Sequence, residues 1–154
     1  MKFSVLTTVY KKEIPGNLRK SLISSYQQTV KPTEIILVCD GELTEELDRE
    51  IEKLQREIPI LKVFHLAENL GSGPASLFGV NQCQTEFIAR MDSDDYSLET
   101  RFEKQVAAFE KNPNLIMVGS NILEKNTEFT ALKKVPETLS LIHISEPTRQ
   151  AEIS

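Results

Sequence analysis

Glu34-Ile35-Ile36-Leu37-Val38-Cys39-Asp40-Gly41 is a nearly continuous apolar run that opens on one acid and closes on another, with glycine next. Such a run is expected for a strand covered on both faces, and Asp40-Gly41 closes it as a turn. Outward from it, strand and helix patterns alternate. Lys2 to Val9 reads as a buried first strand. Pro15-Gly16 marks a break, Asn17 can cap a helix with Leu18, Leu22 and Tyr26 on one face, and Pro32 ends that element. Thr44 can cap a second helix, acidic at its start and basic at its end. That helix buries Leu47, Ile51, Leu54 and Ile58, and Pro59 stops it. Leu61–Leu66 is a third strand, Pro74–Cys83 a third helix and Phe87–Met91 a fourth strand. Ser97 caps a fourth helix with Leu98, Phe102, Val106 and Phe109 on its apolar face. Asn112-Pro113 ends it, and Leu115–Val118 starts a fifth strand. The expected fold class is α/β, a mostly parallel sheet flanked by helices on both faces. In such sheets ligands bind at the carboxyl ends of the strands. Thr8-Val9-Tyr10, Asp40-Gly41 and Asp92-Ser93-Asp94-Asp95 all fall there.

The 154 residues are 40% apolar and 27% charged, in the range of an ordinary globular domain. No apolar run approaches the ~20 residues of a membrane span. The first residues turn polar too soon for a secretory signal. The 18 basic and 23 acidic residues leave a net charge of −5, which argues against a nucleic-acid binder resting on general positive charge. Cys39 and Cys83 have no CxxC spacing and read as reduced, small core residues of a cytosolic protein. His65 and His143 are the only histidines, too few for a His-rich metal site.

Asp92-Ser93-Asp94-Asp95 sets three carboxylates within four residues. Either they face a hard divalent cation such as Mg²⁺ or Mn²⁺, or they form a solvated turn before a helix, and spacing alone leaves both open. Asp40 can accept hydrogen bonds from a base or ribose, or serve a tight turn; Tyr10 can stack on a base, or be a loop aromatic. Glu13 reads as a surface acid. Gly71-Ser72-Gly73-Pro74 is neither a P-loop nor GxGxxG and reads as a plain loop. There is no GxSxG elbow.

Taken jointly, these clusters resemble family 2 glycosyltransferases with the GT-A fold, of the bacterial surface-polysaccharide type. The resemblance runs from Lys2 to about Pro136. It rests on Ser4–Tyr10 with Glu13; Gln28-Thr29-Val30-Lys31-Pro32 before Glu34–Gly41; Asn69-Leu70-Gly71; Phe87–Asp95; Arg101–Gln105; and Val118-Gly119-Ser120. It implies that Thr8, Tyr10 and Glu13 line a nucleotide-sugar pocket, that Asp40 contacts the base, and that Asp92 belongs to the same motif. It further implies that Asp94 contacts ribose or metal, and that Asp95 holds a divalent cation, Mg²⁺ or Mn²⁺, on the diphosphate. The implied reaction moves a sugar from a nucleotide-sugar donor to a saccharide or lipid-linked acceptor hydroxyl, with no nucleic acid involved. Many relatives carry Lys, Arg or Asn on the helix after Asn69, where this chain has Pro74, Ser76 and Leu77. The implied location is the cytoplasm, with peripheral docking at the inner face of the membrane through later segments left open. A non-catalytic nucleotide-binding α/β module is the alternative. Its receiver-like version lacks the early acidic pair, and a sugar nucleotidyltransferase would need a Gly-rich, Arg-containing loop after the first strand.

Leu139 to Arg149 also matches, residue for residue, the in-frame translation of a transposase adaptor used in sequencing libraries. The expectation is therefore a native part of 1–138 that holds the donor- and metal-binding half, with 139–154 a non-native tail. The catalytic base is then expected further downstream, and the chain as written is expected to bind donor weakly without transferring sugar.

Overall fold

The computed structural model describes residues 1–125 and 130–133; the adaptor-like stretch from 139 onward lies outside the described residues. Met1–Lys111 forms one compact unit and the chain from Asn112 another. In the first, β1 (Phe3–Val9), β2 (Glu34–Cys39), β3 (Leu61–His65) and β4 (Phe87–Arg90) alternate with α1 (Pro15–Tyr26), α2 (Glu45–Glu57), α3 (Ser72–Gln82) and α4 (Arg101–Lys111). The four strands form one parallel sheet in the order β3-β2-β1-β4. This is the expected α/β architecture.

Every residue of β2 is buried, as its unbroken apolar run requires. Its odd positions, Ile35, Leu37 and Cys39, join Phe3, Val5 and Val9 of β1 in one core. Leu18 and Leu22 of α1, Leu47, Ile51 and Leu54 of α2, and Phe102 and Val106 of α4 close that core. Its even positions, Ile36 and Val38, pack with Leu6 and Ala75 on the opposite face under α3. That helix lies close to the sheet because Gly79 has no side chain: a Cβ there would collide with Leu6. Cys39 and Cys83 are both free thiols, and burial pushes the Cys39 thiol up to about 12.

Several boundaries differ from the sequence reading. Asn17 does not cap α1. The helix starts three residues earlier, with Ile14 as N-cap and Pro15 supplying a preset φ in the first turn. It also ends at Tyr26, well before Pro32, and α3 starts at Ser72 rather than Pro74. Thr44 does cap α2, its hydroxyl accepting the Leu47 N–H at 3.3 Å. Ser97 does not cap α4, which begins at Arg101; Leu98 stays 65% exposed. Gln28 provides the cap from outside, its Oε1 accepting the Phe102 N–H at 3.2 Å. Phe109 is only half-buried and stacks edge-on against Phe87. Leu115–Val118 is not a strand, since the Leu115 N–H closes a turn on the Asn112 carbonyl at 3.1 Å. Pairing resumes only in the second unit, where β5 (Ile122–Lys125) runs antiparallel to β6 (Thr130–Lys133).

Candidate functional site

Parallel pairing brings the strand ends into one row. Val9 lies opposite Cys39 and Cys39 opposite His65, so the residues that follow, Tyr10, Asp40 and Leu66, leave the sheet side by side. Thr8, Val9, Tyr10, Asp40, Asn69 and Ser72 line one small pocket, with Tyr10 46% exposed above it. A larger open cleft of about 360 Å³ adjoins it, lined by Lys11, Asp40, Glu42, Leu43, Thr44, Ala67, Glu68 and Asn69. Thr8, Tyr10 and Asp40 are thus brought together as expected.

Asp40 is only 4% exposed, and its carboxylate is engaged by backbone. Oδ1 accepts the Leu70 N–H at 2.8 Å and Oδ2 the Gly71 N–H at 2.9 Å, while Asn69 Nδ2 donates to the Asp40 carbonyl at 3.1 Å. Gly41 completes this lock. It sits at φ +81°, and a Cβ there would stand 2.6 Å from the Asn69 nitrogen, so only glycine fits. Sequence reasoning placed Asp40 at the site but not its bonds, which join the 40–41 turn to the 69–71 turn. A carboxylate oxygen has two acceptor positions, so these two bonds leave one on each oxygen unfilled.

Asp92, Asp94 and Asp95 are exposed beyond β4 and do not line the Tyr10 pocket. Two links tie them to it. Arg90 Nη2 donates to Thr8 Oγ1 at 3.0 Å and pairs with Asp92 at 3.2 Å, while Nη1 donates to the Leu6 and Met91 carbonyls. Glu13 accepts a short hydrogen bond from the Ser93 hydroxyl, and its other oxygen takes the Ile14 N–H. Glu13 is therefore half-buried and bridging rather than a plain surface acid. Arg90 and Ser93 carry these links and were not singled out as candidate site residues; a basic residue at a strand end two positions before an acid was the available signal.

Loss of hydration, with the Asp92 and Asp94 carboxylates next to it, pushes the Asp95 carboxyl above its ordinary value, and Arg101 opposes this. Burial in turn lowers the Arg101 guanidinium from its usual value. The Asp motif thus carries negative charge that its surroundings only partly balance. Hard oxygen donors of this kind suit Mg²⁺ or Mn²⁺. Among the described residues, no three His, Cys, Asp or Glu groups converge on a common point.

The sequence profile of Glycosyl transferase family 2 matches residues 4–150. The UDP-Gal:alpha-D-GlcNAc-diphosphoundecaprenol beta-1,3-galactosyltransferase of Escherichia coli is 38% identical over 150 residues, covering 94% of this chain and 54% of that protein. Among solved structures, S. aureus TarS 1-349 in complex with UDP-GlcNAc superposes with a TM-score of 0.64 at 29% identity, over 73% of this chain and 32% of that one. The mannosyltransferase PcManGT from Pyrobaculum calidifontis, in complex with GDP-Man and Mn²⁺, shares the fold with a TM-score of 0.62 at 16% identity, over 70% of this chain and 32% of that one. The chain spans about half the length of the curated relatives it matches.

Proposed function

The chain belongs to glycosyl transferase family 2, and on that premise we propose that residues 1–138 are the donor-binding half of an enzyme that transfers a sugar from a nucleotide-sugar to an acceptor hydroxyl. The observation that carries this reading is the row of strand ends. A nucleoside-sized cleft and a run of carboxylates only partly balanced by Arg90 and Arg101 lie along the carboxyl end of the sheet, linked through Arg90 and Glu13. The solved UDP-GlcNAc complex and the galactosyltransferase relative support the same donor class.

In this reading Tyr10 stacks on the base and Asp40, already fixed by two backbone donors, offers it the remaining acceptor positions. Thr8, oriented by Arg90, lines the same pocket, and Glu13 holds Ser93 so that the base loop and the Asp motif keep one spacing. Lys11 is the cation lining the cleft. Asp95 and Asp94 would hold Mg²⁺ or Mn²⁺, which when bound supplies positive charge to the diphosphate; the Mn²⁺-containing mannosyltransferase supports that choice. Asp92, paired to Arg90, fixes the start of the motif. We assign the acceptor's general base to the length of the relatives that this chain does not span. The acceptor is a saccharide or a lipid-linked sugar, as the name of the Escherichia coli relative suggests. The proposed location is the cytoplasm, at the inner face of the membrane. No described helix is long and apolar enough to cross one.

Calorimetric titration of the chain with UDP- and GDP-sugars, with and without Mn²⁺, tests the reading. Binding of one nucleotide-sugar that strengthens with Mn²⁺, without sugar transfer, is the expected result. Binding of none of them, or binding indifferent to both Mn²⁺ and Asp95→Ala, overturns it.

A further inference from the structure

We propose that Gln28, with Ser21 and Ser24, is a positioning residue for the Asp92–Asp95 motif and so sets how strongly a divalent cation tightens nucleoside-diphosphate binding. This rests on the donor-binding reading above. The three residues are spaced i, i+3, i+7 and form one stripe along α1 and its C-terminal extension. All three are buried, Gln28 with 1% of its surface exposed. Buried polar groups are costly unless every donor and acceptor is matched. Here they are matched by the backbone that flanks the acidic motif.

On the near side of the motif, Ser21 Oγ donates to the Asp92 carbonyl at 2.7 Å. On the far side, the Ser97 N–H donates to Ser24 Oγ at 3.0 Å. Gln28 Nε2 donates to the Leu98 carbonyl at 2.9 Å and the Ser24 carbonyl at 2.8 Å, with the Ser97 carbonyl at 3.4 Å. Gln28 Oε1 accepts the Phe102 N–H. Only this orientation of the amide works, because the reverse would set an NH₂ against an N–H and an oxygen against three carbonyls. Thr29 extends the seam: its N–H donates to the Glu99 carbonyl at 2.9 Å and its hydroxyl to Glu103 at 2.8 Å.

The motif needs such a frame. Its carboxylates repel, and their exposure leaves little packing to hold them. Apolar contacts alone tolerate sliding, whereas bonds at 92, 97, 98 and 102 fix the loop from both ends. A cation site responds to displacements of about 0.5 Å in its carboxylates. The stripe therefore acts on the cation through the loop backbone, without touching the cation or the donor.

The test measures affinity for UDP and GDP with and without Mn²⁺ in the 154-residue chain, alongside thermal melting. Partners behind a metal ligand typically cost about 10–100-fold in metal affinity when removed. Gln28→Ala should cut the Mn²⁺-dependent gain in affinity by at least about tenfold and change metal-free affinity by less than about threefold. Ser21→Ala, which frees the Asp92 carbonyl, should cut the gain about tenfold, and it carries the test alone if Gln28→Ala does not fold. Ser4→Ala, at the opposite end of the sheet, lowers the melting temperature but should leave the gain intact. An unchanged gain in the folded Gln28 and Ser21 variants overturns the proposal, as does an equal loss in Ser4→Ala. A parent chain that shows no Mn²⁺-dependent binding removes the donor-binding reading, and this proposal with it.

Discussion

Glu34 and Asp95 are carboxylates at opposite ends of the same parallel sheet, and their surroundings push them in opposite directions. Glu34 sits at the amino end of β2, 3% exposed. Burial opposes its ionisation, but the Gln84 N–H, the Lys62 ammonium and the Ser4 hydroxyl outweigh that and hold the carboxyl below its ordinary value. Asp95, beyond the carboxyl end of β4, is held above it by loss of hydration and, after that, by its two acidic neighbours. One end of the sheet spends its charge on cohesion. The other leaves its charge only partly balanced.

The largest effect should come from breaking the unspent end. Asp95→Ala should weaken Mn²⁺-dependent nucleotide binding on the order of 100-fold, while the melting temperature stays level or rises as a like-charge contact is removed. Glu34→Gln should do the reverse, costing about 2 kcal/mol in denaturant unfolding because the buried donors on Glu34 lose a charged acceptor, with nucleotide affinity unchanged. The pH dependence sharpens this contrast. A folded-state value below the ordinary 4.5 means Glu34 contributes stability that is fully present above that pH and lost as pH falls toward the folded value. Acid melts from pH 6 down to 3 should show that loss in the parent chain and a flatter profile in Glu34→Gln. The smallest effect belongs to neither end. Arg19 bridges α1 to Glu50 and Glu57 on α2, partly exposed, and Arg19→Ala should cost about 0.5 kcal/mol, shrinking in high salt.

Local patterns made most of the fold legible. β2 was readable because burial on both faces leaves an unbroken apolar run, and the Thr44 cap because its partner lies three residues away. The caps of α1 and α4 were not readable. A proline's fixed φ replaced Asn17, and a glutamine from 74 residues earlier replaced Ser97. The expected strand at 115–118 failed because a short apolar run carries no information about a partner to pair with. At the site, residue types at strand ends marked Thr8, Tyr10, Asp40 and the Asp motif. The bonds that join them, Arg90 to Thr8 and Glu13 to Ser93, cross about 80 residues of chain and leave no periodic trace. α1 shows both cases: its Leu18 and Leu22 face is visible in the periodicity, while nothing local marks the Ser21–Ser24–Gln28 face, whose partners lie 69 to 74 residues downstream.

The Asp40 lock has a consequence for how this pocket can change. The 40–41 and 69–71 turns come from different strands, yet each completes the other's hydrogen bonds, and Gly41 leaves no room between them. Substitutions confined to one turn would strand buried donors or acceptors in the other. The two turns therefore behave as one cassette: exchanging either alone should cost stability, whereas exchanging both together, or changing Tyr10 and Lys11 outside the lock, should leave the fold intact.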